Sequence, residues 1–329
     1  MENLHILATQ EDHEVRLRIS HPDGEIVGVI QLLHGLGEHI GRYERFAAAA
    51  NARGFVICAH NHRGHGKDDD TAGYFADRNG WHLLVDDAHV AHEHIREQFP
   101  NLPIVLLGHS MGSYIAQTFA MHYGAKLSGL LLSGSMWPQR AKLLPAILLA
   151  RIEALRLGKR GKSALLNQLG FGDFNKRFEP ARTEMDWLSR DEHEVDLYVA
   201  DPLCGGPYTC GLWIDLLGAL FELGSGAALN RISADLPILI TGGSDDPVGG
   251  EDSMTRLIMH YAQTGHQRVT MKLYPEGRHE MLNETNRDEV THDWLEWIAA
   301  RFRASKRLTG STGSVPAFAP AGLRPDYQA

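Results

Sequence analysis

The sequence predicts an α/β fold: a doubly wound, mostly parallel sheet with helices on both faces and an inserted helical cap. Three observations predict it. Short apolar, β-branched runs alternate with stretches of helical period over residues 14–135, the rhythm of parallel strands joined by crossover helices. That rhythm breaks between Met136 and Asn230, where strand signals give way to helical and irregular segments. It then resumes for two strand–helix units. The breaks divide the chain into a first core part (1–135), an insertion (136–230), a second core part (231–303) and a tail (304–329). The tail is rich in small residues and prolines without periodicity, and disorder is expected there.

Each element has a local reason. "EVRLRIS" and "IVGVIQLL" read as strands separated by the turn "HPDG". "RYERFAAAANARG" reads as a helix closed by Gly54, and "FVICAH" as the next strand. "WHLLVDDAHVAHEHIREQF" has helical spacing and stops before Pro100. A strand at 103–107, a Gly-Ser-Gly turn, a helix at 111–123 and the strand "LSGLLLSG" follow. After the insertion come the strand "LPILITGG", a helix at 251–264, the strand "RVTMKLY" and a helix at 288–303.

Composition narrows the function. With 43% hydrophobic and 22% charged residues, the chain has the make-up of a soluble globular protein. A formal net charge of -9 excludes a general nucleic-acid binder, which carries a basic excess. The longest apolar candidate, "LLPAILLA" at 143–150, falls short of the about eighteen residues a membrane span needs. The opening "MENLHILATQEDHEV" lacks the basic and apolar regions of an export signal. Cys58, Cys204 and Cys210, an odd count without such a signal, fit free thiols in a reducing cytoplasm.

Gly108-His109-Ser110-Met111-Gly112 carries the chemistry. It follows the apolar run "IVLL" and precedes a helix, as a nucleophile elbow requires. A tight strand-to-helix turn brings backbones into close approach; the glycines permit it, and the serine projects at the carboxyl edge of the sheet. The competing role for Ser110 is an ordinary helix cap. A nucleophilic serine needs a base on the same edge. His279 in "LYPEGRHEML" follows a late strand, whereas His266 precedes it and falls on the opposite edge. His109 adjoins the serine, and its side chain is expected to diverge. The orienting acid falls after strand 236–242, at Asp245 or Asp246; Asp235 lies on the wrong edge and Asp288 starts a helix. The order Ser, Asp, His results. "LLHGLGEH", a glycine-rich loop after an early strand, can present the Leu36 N–H to an oxyanion, with the Met111 N–H as its partner.

Six separated segments carry a resemblance: "HGLGEHIGRYERFA", "NHRGHGK", "LLGHSMGS", "DWLSRDEHEVDLYVADPL", "GGSDDPVG" and "YPEGRHEMLNE". Over about residues 20–300 the chain resembles the α/β-hydrolase superfamily. Within it, the likeness is to the monoacylglycerol lipase and lysophospholipase-like group of the serine aminopeptidase S33 type. The resemblance implies Ser110 as nucleophile, Asp246 as acid, through its "GSxD" pattern, and His279 as base. It also implies Leu36 and Met111 as oxyanion donors, and Glu38 and Arg42 as substrate-binding residues at the glycerol end. No cofactor is implied. The chain departs from the group at Asn61, where Asp is common, and at Lys67 and Asp68, where a serine often follows "GHG". Leu282 stands where monoacylglycerol lipases have a second histidine.

The expected reaction is hydrolysis of carboxylic esters of hydrophobic acyl chains, monoacylglycerol or lysophospholipid, through an acyl-enzyme. Between Arg140 and Lys162 seven basic residues and one acid, Glu153, interleave with "LLPAILLARIEALRL". Such a basic amphipathic helix can lie on an anionic lipid surface, or it can roof the pocket with its charges solvated. The expected location is cytoplasmic with peripheral membrane contact; the oligomeric state is left open. Three alternatives stand. One is an aminopeptidase of the proline-iminopeptidase type, with Glu184, Asp186 or Glu194 holding a substrate amine. The second is a short-chain carboxylesterase, and the third a non-catalytic binding module. The histidine groups "HNHRGH" (His60, His62, His65) and "DDAHVAHEH" (His89, His92) match no zinc signature, so no metal site is expected.

Overall fold

In the computed structural model, which describes residues 2–9, 13–66 and 72–310, eight strands form one sheet. They are β1 (Glu2–Ala8), β2 (Glu14–Ser20), β3 (Gly28–Leu33), β4 (Phe55–Ala59), β5 (Ile104–His109), β6 (Gly129–Ser133), β7 (Ile238–Gly243) and β8 (Val269–Tyr274). Their order is β1-β2-β4-β3-β5-β6-β7-β8. Every pairing from β4 through β8 is parallel, and the hairpin β1–β2 adds an antiparallel edge. Strands β3 to β7 are buried along their whole length, which is why they read as unbroken apolar runs.

Alternate strand residues serve opposite faces. Ile30, Leu32, Leu107, Leu131 and Leu239 pack against α1 (Glu44–Asn51) and α10 (Arg287–Gly310) through Phe46, Trp294, Ile298 and Phe302. Leu33, Leu106, Leu130 and Leu132 face α2 (Gly80–Gln98), α3 (Met111–Tyr123) and α9 (Glu251–Gln263).

The insertion between β6 and β7 contains α4 (Arg140–Leu157), α5 (Ala164–Phe171), α6 (Glu192–Ala200), α7 (Cys210–Leu223) and α8 (Gly226–Leu229). Its core is not separate from the sheet's. Leu212, Trp213, Leu216 and Leu220 of α7 share one hydrophobic cluster with α2 and α3. Apolar burial of this kind contributes roughly 25 cal/mol per Å², so the insertion is anchored through α7.

Two elements differ from the sequence reading. β1 was not anticipated: its alternating Leu4 and Ile6 are exposed at the sheet edge, so only the hairpin register marks the strand. The last helix runs to Gly310, past the expected end at 303, because "ASKRLTG" contains no proline to stop it. The remainder of the tail, 311–329, lies outside the described residues, as do Lys67 and Asp68. Among the described residues no helix is long and apolar enough to cross a membrane.

Candidate active site

The elbow is built by two close approaches. A Cβ on Gly108 would lie 2.3 Å from the Gly112 carbonyl oxygen, and one on Gly112 would lie 2.1 Å from that of Leu33. No side chain fits at either position. Between them Ser110 is held at φ 50° and ψ -119°, a strained region for a residue other than glycine. Its N–H donates to Ser133 O at 2.8 Å, and its carbonyl accepts the Ser113 N–H at 2.9 Å. The Ser110 side chain makes no capping hydrogen bond to α3, so the helix-cap role is not the one it plays.

His279 and Asp246 arrive at the same carboxyl edge on the loops after β8 and β7. Those loops meet because Gly243 and Gly277 lack side chains; a Cβ on Gly243 would sit 1.9 Å from Gly277 O. His279 Nδ1 lies 2.9 Å from Asp246 Oδ2 and 3.0 Å from Oδ1, and all three atoms are buried. Asp246 Oδ1 also accepts the Val248 N–H at 2.8 Å. Asp245 turns outward instead and accepts a hydrogen bond from Arg177 at 2.7 Å.

Electrostatics separate the two buried histidines at this edge. Burial would lower His279, but the Asp246 carboxylate outweighs it and raises the imidazole above its ordinary value. Asp246 is held below the usual carboxylate range: burial opposes this, and the His279 charge and hydrogen bond prevail. The second of these is His109. Its ring lies 4.8 Å from that of His279. Burial, reinforced by the His279 charge, pushes it down to about 3, so it stays neutral.

The loop after β3 lies against the serine. A Cβ on Gly35 would be 3.2 Å from Ser110 Cβ, and Gly37 turns at φ +73°. Leu36 falls between them, and Met111 is the first residue of α3. Glu38 and Arg42 form a buried network behind this loop. Glu38 Oε1 accepts the Gly35 N–H and, at 2.7 Å, the Tyr43 hydroxyl. Arg42 Nη1 donates to Glu38 Oε2 at 3.3 Å and Arg42 Nη2 to Glu280 Oε2 at 2.7 Å. Burial raises Glu38, with Arg42 opposing; at Glu280 burial is outweighed by Arg42, which holds that carboxyl down at about 2. Glu280 follows His279 directly, so one cation ties the glycine-rich loop to the histidine loop.

The insertion supplies groups that the sequence reading did not single out. The Trp187 ring lies 5.1 Å from that of His279, with Phe174 4.8 Å beyond it. Phe171, Tyr208 and Trp213 extend this aromatic wall. Their irregular spacing between residues 171 and 213 gave no periodic signal that could have found them.

Among the described residues one trio could hold a metal ion: His39, Asp201 and Cys204, with ligand atoms within 4.8 Å of one another. His39 Nδ1 accepts the Gly41 N–H at 3.2 Å, which assigns the ring proton to Nε2, 2.8 Å from Asp201 Oδ2. His39 and Asp201 therefore form a hydrogen-bonded bridge between loop and insertion. His60, His62 and His65 are buried among themselves and form no such group.

A parallel sheet crossed by helices, with a strained serine elbow at its carboxyl edge, defines an α/β-hydrolase. The chain belongs to the family described as "Serine aminopeptidase, S33", which it matches over residues 24–286. It is 29% identical over 283 residues to a monoacylglycerol lipase of Mycolicibacterium smegmatis, covering 85% of this chain and 90% of that one. To a monoglyceride lipase of Homo sapiens it is 29% identical over 305 residues, covering 90% and 88%. A thermostable carboxyl esterase of Bacillus coagulans, solved in complex with glycerol, superposes with a TM-score of 0.84 at 29% identity. That likeness covers 92% of this chain and 99% of the esterase.

Proposed function

We propose that this carboxylic ester hydrolase cleaves monoacylglycerols, or the chemically related lysophospholipids, by a Ser110–His279–Asp246 triad. The observation that carries the reading is the strained Ser110 on the same sheet edge as the buried His279–Asp246 pair. His279 Nε2 takes the Ser110 proton as Oγ attacks the ester carbonyl, while Nδ1–H donates to Asp246, which stabilises the imidazolium. The Leu36 and Met111 N–H groups receive the oxyanion. Collapse of the tetrahedral intermediate breaks the ester C–O bond, and His279 returns the proton to the departing alcohol. Water repeats the attack on the acyl-enzyme and releases the fatty acid.

The aromatic wall over His279 suits a hydrophobic acyl chain, and the names of the relatives point to a monoacylglycerol. Glu38 and Arg42 stand at the head-group end. Arg42 offsets part of the charge of Glu38 and Glu280, so the group would meet glycerol hydroxyls as an already hydrogen-bonded set. The aminopeptidase reading finds less support: Asp186 accepts from Arg182 N–H and the Thr183 hydroxyl, and Glu194 is paired with Arg45. Fatty-acid release from 1-monooleoylglycerol and lysophosphatidylcholine, measured side by side, tests the substrate. Faster release from monoolein is expected. Release from neither, with hydrolysis of aminoacyl arylamides instead, would overturn the lipid reading.

We read residues 136–230 as a cap over this site, on a cytoplasmic enzyme that touches membranes peripherally. Leu144, Leu148, Ile152 and Leu155 lie on one face of α4 at spacings of four, four and three, and all are exposed, Leu155 by 89%. Leu165 and Leu169 of α5 are exposed as well. The basic residues between Arg140 and Lys162 complement an anionic lipid surface. Co-sedimentation with phosphatidylglycerol vesicles should exceed that with phosphatidylcholine and fall on Leu148→Asp plus Leu155→Asp. Equal sedimentation of wild type and double variant would remove the membrane role.

A further inference from the structure

The loop that would carry the Leu36 oxyanion donor is gripped from two sides, and one of the grips comes from the insertion. On the core side, Glu38 accepts the Gly35 N–H. On the other side, the Gly37 carbonyl accepts the Tyr198 hydroxyl at 2.9 Å and the Gly205 N–H at 2.8 Å. The Tyr198 oxygen also accepts from Gly205 N–H at 3.1 Å, closing a three-membered clasp. Leu36 lies between the two fixed points. Neither of its neighbours can turn without breaking a buried hydrogen bond.

Gly37 has no room to relax. A side chain there would strike the Tyr208 hydroxyl, 2.0 Å from its Cβ, and approach that of Tyr198 at 3.2 Å. The Tyr198 ring is itself fixed: it is buried on α6, and the Arg42 guanidinium sits 4.8 Å over it. Because Arg42 also holds Glu280 beside His279, the phenol, the glycine-rich loop and the histidine loop are parts of one connected arrangement.

We propose that Tyr198 is a positioning residue of the insertion that orients the Leu36 N–H through its hydrogen bond to the Gly37 carbonyl, so that the oxyanion hole is complete only while α6 is seated on the core. The inference rests on the triad reading above. A group that acts in this way contributes where negative charge develops and not where the ester first binds. Its loss therefore lowers kcat and leaves KM in place.

Tyr198→Phe removes only the hydroxyl, keeps the ring under Arg42, and leaves Gly205 as a donor to Gly37. The expected result with monooleoylglycerol is a fall in kcat of roughly fivefold, the scale of one hydrogen bond. KM should stay within about a factor of two. Affinity for a long-chain trifluoromethyl ketone, which forms an anionic hemiketal on a nucleophilic serine, should fall by the same factor as kcat/KM. The pH profile should not move, since His279 and Asp246 are untouched. A rise in KM at unchanged kcat would overturn the proposal by making Tyr198 a substrate contact. So would unchanged kinetics, a kcat loss with undiminished ketone affinity, or a loss that tracks the unfolded fraction in a parallel thermal melt. If Ser110→Ala keeps its activity, the underlying triad reading fails instead, and that outcome is read from a different variant.

Discussion

Ser110→Ala is expected to lower kcat for a long-chain monoacylglycerol by about 10⁶-fold, with the folded protein otherwise intact. The size follows from how the proposed triad would share its work. Without the hydroxyl no acyl-enzyme would form, and what would remain is binding and the proposed oxyanion donors acting on water. Stability should change little, because the Ser110 side chain caps no helix donor and its conformation is set by Gly108 and Gly112. The rate profile carries the same information. His279 must be neutral to act as base, and its proton affinity is raised by Asp246 against the effect of burial. The acid limb of kcat/KM should accordingly lie above the ordinary imidazole value near 6.5, with activity rising as pH increases through it. Steady-state kinetics of the wild type across pH and of the variant at its optimum measure both. A variant within tenfold of wild type would contradict the account.

Arg42→Met should be strongly destabilising, at about 3–5 kcal/mol. The guanidinium compensates two carboxylates, Glu38 and Glu280, and all three side chains are at most 10% exposed. Removing the cation leaves both acids in a poorly solvated place. One or both must then take up a proton, or the loops must open to water. The same cation holds Glu280 down at about 2, so in the variant that carboxyl should titrate well above this value. Urea denaturation of Arg42→Met, and of Arg42→Met combined with Glu280→Gln, checks the prediction. The double variant is expected to recover part of the loss, since the uncompensated charge is gone. Equal stability of Arg42→Met and wild type would show that the network contributes nothing to the fold.

Much of the core was legible because its strands are short, apolar and closed by punctuation. Gly54 follows the first helix, Pro100 follows the second, and the glycines flanking Ser110 mark the elbow. Strand ends fix the edge on which loops emerge, so Ser110, His279 and an acid after β7 could be placed together before any coordinates. The choice between Asp245 and Asp246 could not be made that way. Adjacent residues differ only in the direction of their side chains, and that direction is set by the Gly243–Gly277 contact between loops. The nearness of His109 to His279 was hidden for the same reason. Its ring returns to within 4.8 Å of His279 across a glycine, Gly134, whose Cβ would lie 2.9 Å from His279 Cε1.

The insertion was the least legible part. Tyr198 sits in "EVDLYVA", a plain helical stretch, and nothing local says that its hydroxyl reaches Gly37, 161 residues away in sequence. Glu38 and Arg42 were visible as polar positions through the resemblance, yet their pairing with Glu280 depends on the loop after β8 closing over them. Contacts of this kind are tertiary, and periodicity carries no record of them.

The central claim is that Ser110 is the nucleophile of an acyl-enzyme. Mass spectrometry of the intact protein after exposure to an alkyl fluorophosphonate, with the adduct located by peptide mapping, tests it most directly. A single stoichiometric adduct on Ser110 is expected, its formation slowed by orders of magnitude in His279→Ala. No adduct, or one elsewhere while ester hydrolysis continues, would contradict it.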